Sequence, residues 1–374
     1  MSFGEQLIAW RRELHQNPEL SGQEVETTAR LRRWLSAAGI TPLPYDLPTG
    51  VVAEIGTGNK LIALRADIDA LPIEERSGVP FSSQQPGVMH ACGHDIHTSV
   101  ILGAALKLKA REASLKGRVR ILFQPAEENF GGAKSMVRAG ALRDVSAIFG
   151  MHNEPGLPVG KFATRGGPFY ANVDRFAIRI TGKGAHAARP HEGNDAILLA
   201  SSQLVTALQS VASRNVNTLD SVVLSVTRIA GGNTRNVLPE SVELEGTLRT
   251  HRTEVQQNVK ARVGEIAAGF ASAFSAQIDI TWFAGPTALV NDQRWADFAT
   301  SVAREAGYET HHAELHMGGE DFAVYLQSVP GAFVSIGSNS PFGLHHPAFN
   351  PDEALIEPAA RYFAQLAEHA LQHV

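Results

Sequence analysis

Leu7, Trp10 and Leu14 recur at helical spacing near the start of the chain, with Arg11 on the same face. The spacing predicts helices over 5–15 and 22–38, the second stopped by Gly39. The period then shortens. VVAEIG (51–56) and KLIALRADID (60–69) read as strands, and the second closes in an acidic cluster. A helix over 98–111, a strand over 118–128 ending in two carboxylates, a helix over 133–142 and a strand over 146–152 follow. Strands this continuously apolar, alternating with helices, predict an α/β fold with a parallel or mixed sheet. Asp67/Asp69, Glu127/Glu128 and His152 then fall at the C-terminal ends of three successive predicted strands. In open α/β sheets those ends host the site.

From about residue 173 the order changes to a strand (174–182), a helix (195–212), two strands (221–231 and 241–250), a helix (253–274) and a strand (276–285). This β-α-β-β-α-β order is that of a ferredoxin-like α+β domain, complete in itself. Helical patterns return at 292–306 and 320–326, a strand at 332–337, and a last helix at 357–374 with Pro358 in its first turn. The expectation is a discontinuous catalytic domain, 1–172 and 286–374, with 173–285 inserted into it. The Gly/Pro-rich stretch 153–168 reads as the connection into the insert.

Length agrees with this division, because a single core stops growing near roughly 250–300 residues and the chain has 374. Charge narrows the partners. The balance is Lys+Arg 33 against Asp+Glu 38, a formal net charge of -5, with no basic stripe, so nucleic acid is not expected as a partner. No run of 18 apolar residues occurs and the N-terminus lacks a signal-peptide pattern, so no membrane association and a cytoplasmic location are expected. The single cysteine excludes an intrachain disulfide and suits a reducing compartment.

That cysteine stands in MHACGHDIHTS (89–99), where Cys92 and His94 form a C-x-H pair. A thiolate and an imidazole are ligands for zinc-like ions. The pair alone admits a second reading, a buried inert cysteine in a Gly-rich turn. Glu127-Glu128, directly after the apolar VRILFQ, adds two carboxylates that can take different tasks, one on a metal and one on a proton. His152 adds an imidazole at the next strand end, and His345-His346 before Pro347 can fold back onto the same crevice.

Taken as a set, RADIDALPIEE, MHACGHDIHTS, QPAEENFGGAK, GMHNEPG, GKGAHAARPHEGNDAI, GGNTRNVLP, GGEDFAVY and GLHHPAF resemble the M20 metallopeptidase superfamily. Within it they resemble the amidohydrolase branch of hippurate hydrolases, N-acyl-amino-acid amidohydrolases and auxin-conjugate hydrolases. The resemblance runs from RRELHQNPELSGQE to the last helix, in unbroken order. It implies two divalent metal ions per subunit (zinc, manganese, cobalt or nickel), held by Cys92, His94, Glu128, His152 and His345. It implies Glu127 as general base and Asp69 as the acidic residue supporting the metals. Asp67 occupies a place where other branches use a histidine ligand, a role His94 takes over here. His186 matches a histidine that reaches the active site of a partner subunit, which implies a homodimer or a higher oligomer and a dimerisation or lid role for the insert. Asn236 and Arg249 match positions that hold the substrate carboxylate or the tetrahedral oxyanion. The implied reaction is hydrolysis of a small N-acyl-amino-acid or dipeptide-like substrate. Metallo-dipeptidases, carboxypeptidases and deacetylases of N-acetylcysteine or N-acetyl-diaminopimelate share this chemistry, and a non-catalytic metal-binding protein is the alternative from another class. Glu154 departs from the residue that relatives often carry and bears on the pocket.

Overall fold

In the computed structural model, which describes residues 1–193 and 196–374, LIALRAD forms a strand inside a seven-stranded mixed sheet. The spatial order is Val51–Gly56, Arg118–Gln124, Leu61–Asp67, Ala147–Glu154, Gly331–Gly337, Lys161–Thr164 and Glu309–His312. The four strands from Arg118–Gln124 to Gly331–Gly337 run parallel to one another, and Val51–Gly56 is antiparallel at one edge. Every residue of Leu61–Asp67 and of Gly331–Gly337 is buried, as strands covered on both faces require.

Alternation along the central strand separates two kinds of core. Ile62, Leu64 and Ala66 join Ile121, Phe123, Phe149 and Val334 in one apolar cluster with residues of the helices Phe3–Gln16, His94–Ala110, Gln293–Glu305 and Ile356–His373. The pleat turns Arg65 and Asp67 to the opposite face, where both are also fully buried. There Arg65 donates to Asp67 at 2.7 Å, to Asp321 at 2.8 Å and to Gln124 at 2.8 Å. Burying charges is tolerated only where each is paired and hydrogen-bonded, and this network meets the condition.

Contacts divide the chain into two compact units: Met1–Phe169, Val290–Glu314 and Asp321–Val374 form one, and Tyr170–Leu289 with Leu315–Glu320 the other. The second contains a four-stranded antiparallel sheet in the order Gln277–Ala284, Asn172–Thr181, Ser241–Thr250, Val222–Gly231. Phe176, Ile178 and Ile180 point to one face of it and pack with Leu204 and Leu208 of the helix Ala196–Arg214 and with Val259 and Val263 of the helix Thr253–Ala273. The helix predicted from 195 begins with a residue outside the described ones. The β-α-β-β-α-β order of the long elements holds here, with the short pair Ala185–His186 and Val237–Leu238 added.

Four local expectations need correction. The helix predicted from 98 begins at His94, because its polar first turn, HDIH, is buried against carboxylates instead of forming a loop. The strand predicted to run to 128 stops at Gln124, so Glu127 and Glu128 sit in the turn beyond it. The 153–168 connection contains the strand Lys161–Thr164 and the start of Gly167–Tyr170. Glu309–His312 is a strand that the pattern did not predict, since it is short, polar and at the sheet edge.

Candidate metal centre

The parallel register sets Asp67 beside Gln124, so the turns that follow these two strands leave the same edge of the sheet. Asp69 follows the first and Glu127-Glu128 the second, while His152 lies near the end of Ala147–Glu154. The helix His94–Ala110 brings its first turn to this edge, with Cys92 just before it. Gly93 makes that approach possible. It has φ +87°, and a Cβ there would stand 2.4 Å from Asn153 Nδ2. The backbone closes the turn in two further places, where Ala126 and His345 adopt φ of 53° and 64°. Non-glycine residues in this left-handed region concentrate where function sets the backbone.

Three imidazoles face the same small volume. His94 Nδ1 donates to Asp69 Oδ1 at 3.1 Å, which leaves its Nε2 toward Asp67 at 3.7 Å and Glu128 Oε1 at 3.9 Å. His152 Nδ1 donates to the Asn153 carbonyl at 2.8 Å, and its Nε2 lies 3.3 Å from Cys92 Sγ. His345 Nε2 lies 3.4 Å from Glu128 Oε1, and the His345 backbone amide donates to the Ala91 carbonyl. An imidazole whose Nδ1–H is held by an oxygen presents its Nε2 lone pair as a ligand, the arrangement in which outer partners orient metal-binding histidines. The donor atoms of Cys92, His94 and His152, of Cys92, Glu128 and His345, and of His94, Glu127 and Glu128 form three groups that could each hold a metal ion.

Electrostatics point the same way. Burial pushes His94 toward neutrality, yet Asp67, Asp69 and Glu128 outweigh it and raise its pKa to about 10. Burial pushes the Cys92 thiol up, and Glu128, Glu127 and Asp67 push it further. A site this negative favours a bound cation. His94 Nε2 and Glu128 Oε1 are buried without a hydrogen-bond partner among the described residues, which a metal would resolve. Thiolate, imidazole and carboxylate together suit ions of the zinc class.

Glu127 is buried, and its Oε1 accepts the Asp321 backbone amide at 3.4 Å. Asp69 is an acceptor hub: Oδ2 takes Ser21 Oγ at 2.6 Å and the Glu128 amide at 3.0 Å, while Oδ1 takes His94. His97 falls in a further candidate group with Asp67 and His94. Both of its nitrogens are used, however, Nδ1 donating to Asp67 at 2.6 Å and Nε2 accepting the Asn153 amide at 2.9 Å, so it orients Asp67. Asp67 stays ionised because burial, which favours the acid, is outweighed by His94, Arg65 and His97.

His186, Asn236 and Arg249 belong to the second unit. His186 is exposed and opposes Val237 across a short strand pair, and the neighbouring Ala187 amide donates to the Asn236 carbonyl. His186 lines a cavity of about 770 Å³ with Gly231, Asn233 and Glu243. Arg249 lies on Ser241–Thr250, half-buried, and its Nε donates to Thr247 Oγ1 at 2.9 Å. Sequence reasoning gave no role to Arg65, His97, Asn153 or Asp321. The i, i+3 spacing of His97 from His94 on one helix was a usable signal, and so was Asn153 directly after His152.

A sheet-edge cluster of one thiol, three imidazoles and carboxylates defines a metal-dependent hydrolase, and sequence comparison gives its family. Residues 63–369 match the profile of peptidase family M20/M25/M40, and the chain belongs to that family. It is 48% identical to an N-acetylcysteine deacetylase of Bacillus subtilis (strain 168), covering 100% of this chain and 99% of that protein. It is 39% identical to an IAA-amino acid hydrolase of Arabidopsis thaliana, over 99% of this chain and 86% of that one. The crystal structure of Bacillus subtilis YXEP, described as a dinuclear metal-binding peptidase of the M20 family, superposes with a TM-score of 0.90 at 44% identity. That match covers 100% of this chain and 99% of YXEP. The chain is accordingly a hydrolase of the M20 type with a dinuclear metal site. No helix among the described residues is long and apolar enough to cross a membrane.

Proposed function

We propose that this protein hydrolyses the amide bond of N-acylated amino acids, with Cys92, His94, Glu128, His152 and His345 holding two divalent ions and Glu127 acting as general base. The observation that carries the reading is the convergence of the His94, His152 and His345 Nε2 atoms on Cys92 and Glu128, beside a buried carboxylate that the ligand set does not need. The relatives named for N-acetylcysteine and IAA-amino acid hydrolysis support this substrate class. Zinc, manganese, cobalt and nickel all suit the donor set, and the thiol favours zinc.

When bound, such ions acidify a water toward a pKa of about 7 and polarise the substrate carbonyl. The protein's own part begins at Glu127. The Asp321 amide donates to Oε1 and helps fix the carboxylate, which accepts a proton from the attacking water and returns it to the departing amine. Asp69 holds His94 in one tautomer and anchors the Glu128 backbone, so a single carboxylate orients two ligands. In the second unit, Arg249 has no carboxylate partner among the described residues, and burial lowers its pKa. A substrate carboxylate would supply the missing counter-charge at Arg249, while Asn236, whose carbonyl accepts the Ala187 amide beside His186, would contribute a separate contact to the substrate. The residues expected as an insert, 173–285, act in this reading as a dimerisation or lid domain that presents His186 to the oxyanion in a partner subunit.

The test is Glu127→Gln assayed on N-acetyl-L-cysteine, other N-acetyl amino acids, hippurate and dipeptides. Metal content stays at two ions while kcat falls by about 10²–10⁴-fold. Wild-type turnover in this variant would remove Glu127 from the mechanism, and preference for dipeptides over acylated amino acids would overturn the substrate class. The trans role is tested by mixing His186→Ala with Glu127→Gln under subunit exchange. Recovered activity supports it, and none despite proven exchange refutes it.

A further inference from the structure

The segment PELSGQE, residues 18–24, contributes no ligand and no proton acceptor to the proposed mechanism, yet two of its side chains end on the site. Ser21 donates to Asp69 Oδ2. Glu24 is fully buried, and its Oε1 accepts the Ala126 backbone amide at 2.8 Å and the Gly22 amide at 2.8 Å. Its Oε2 accepts the Thr49 hydroxyl at 2.7 Å.

Ala126 is the residue immediately before Glu127, and it sits at φ 53°, a conformation an alanine does not choose. Both of its peptide groups are held. Glu24 takes the amide on the entering side, and the Gly131 and Gly132 amides donate to the carbonyl on the leaving side, at 3.2 and 3.0 Å. The left-handed turn that points Glu127 toward the ligand cluster is therefore clamped between a buried side chain 102 residues away and the start of the helix Gly132–Arg138.

We infer that Glu24 is a positioning residue for Glu127: by accepting the Ala126 amide it holds the strained turn that aims the proton acceptor. The inference rests on Glu127 being the general base. Glu24 acts by reach and by accepting, and its charge is not the operative property. Glutamine keeps both. Its carbonyl oxygen can take the two amides now on Oε1, and its NH₂ can donate to Thr49 once that hydroxyl turns to accept. Aspartate keeps the charge but is one methylene shorter, so it cannot span Ala126 and Thr49 together.

The experiment compares Glu24→Gln, Glu24→Asp and Thr49→Val in the metal-loaded enzyme with N-acetyl-L-cysteine as probe, alongside Glu127→Gln. Glu24→Gln should keep kcat close to wild type. Glu24→Asp should lose kcat by about 10²-fold, the scale of a misplaced catalytic group, with KM and metal content little changed. Thr49→Val should fall between them, and it carries the test alone if the Glu24 variants do not fold. A Glu24→Asp enzyme as fast as wild type, or Glu24→Gln as slow as Glu24→Asp, overturns the inference. So does an effect confined to KM or to metal loss, or an unchanged kcat in Thr49→Val. If Glu127→Gln itself remains active, the base assignment fails, and that result is separate from any of these.

Discussion

Replacing Asp69 by asparagine changes one atom of a carboxylate that accepts three hydrogen bonds. Oδ1 takes His94 Nδ1 at 3.1 Å, and Oδ2 takes Ser21 Oγ at 2.6 Å and the Glu128 amide at 3.0 Å. Burial pushes Asp69 toward its acid form, but His94, Ser21 and the Glu128 amide outweigh it and keep its pKa low, so the native side chain serves all three donors as an anion. An asparagine has a single acceptor oxygen. If its NH₂ faces His94, the imidazole must move its proton to Nε2 and give up the lone pair aimed at Glu128. If its NH₂ faces the Glu128 amide, two N–H groups oppose each other and the Glu127-Glu128 turn shifts. Either orientation damages one proposed ligand, and losing such an outer partner costs about 10- to 100-fold in metal affinity. At about 1.4 kcal/mol per tenfold, this is about 1.4–2.8 kcal/mol. Competition against a chromophoric chelator measures it, with circular dichroism as the control for folding. Affinity within about threefold of wild type (less than about 0.7 kcal/mol) in a folded Asp69→Asn protein would refute the reasoning.

Gly93→Ala should cost about 1–2 kcal/mol from the left-handed backbone alone. Its new Cβ would also stand 2.4 Å from Asn153 Nδ2, so metal occupancy should fall with the melting temperature; unchanged values for both would contradict the account. Arg65→Met takes the guanidinium away from Asp67 and Asp321, both fully buried, and should destabilise the protein by about 3–5 kcal/mol in urea unfolding. A loss below about 1 kcal/mol would mean the two carboxylates find other compensation. At Glu54, burial raises the pKa but Arg120 and Arg118 outweigh it and leave it lowered. A depressed folded pKa adds stability above the unfolded value of about 4.3 that is lost as pH falls through the folded value. Glu54→Gln should therefore be less stable than wild type at pH 7, with the gap closing in acid, and a gap that widens in acid would have the wrong sign.

The parts of the site that sequence patterning reached are those where a polar residue ends an apolar run. Asp69, Glu127, Glu128 and His152 announce themselves because strands as apolar as LIALRAD and VRILFQ stop at them. Cys92, His94 and His345 stood out by residue type and by resemblance to a family. The supporting residues were hidden for a different reason. Arg65 falls in a strand read as continuously apolar, where a buried charge has no sequence signal, and its partner Asp321 lies 256 positions away. Glu24 reads as an ordinary helix-start carboxylate, and only the fold shows that it grips the Ala126 amide. Glu309–His312 is invisible to patterning because an exposed edge strand of four residues needs no apolar alternation.

The central claim is that the thiol, the three imidazoles and Glu128 hold a pair of ions beside Glu127, which serves as the proton acceptor. Anomalous diffraction at the absorption edge of the bound metal, from crystals of the loaded protein, tests it most directly. The account predicts two anomalous peaks within bonding distance of Cys92, His94, Glu128, His152 and His345, with no peak bonded to Glu127. A single peak, peaks away from Cys92, or an ion coordinated by Glu127 would contradict it.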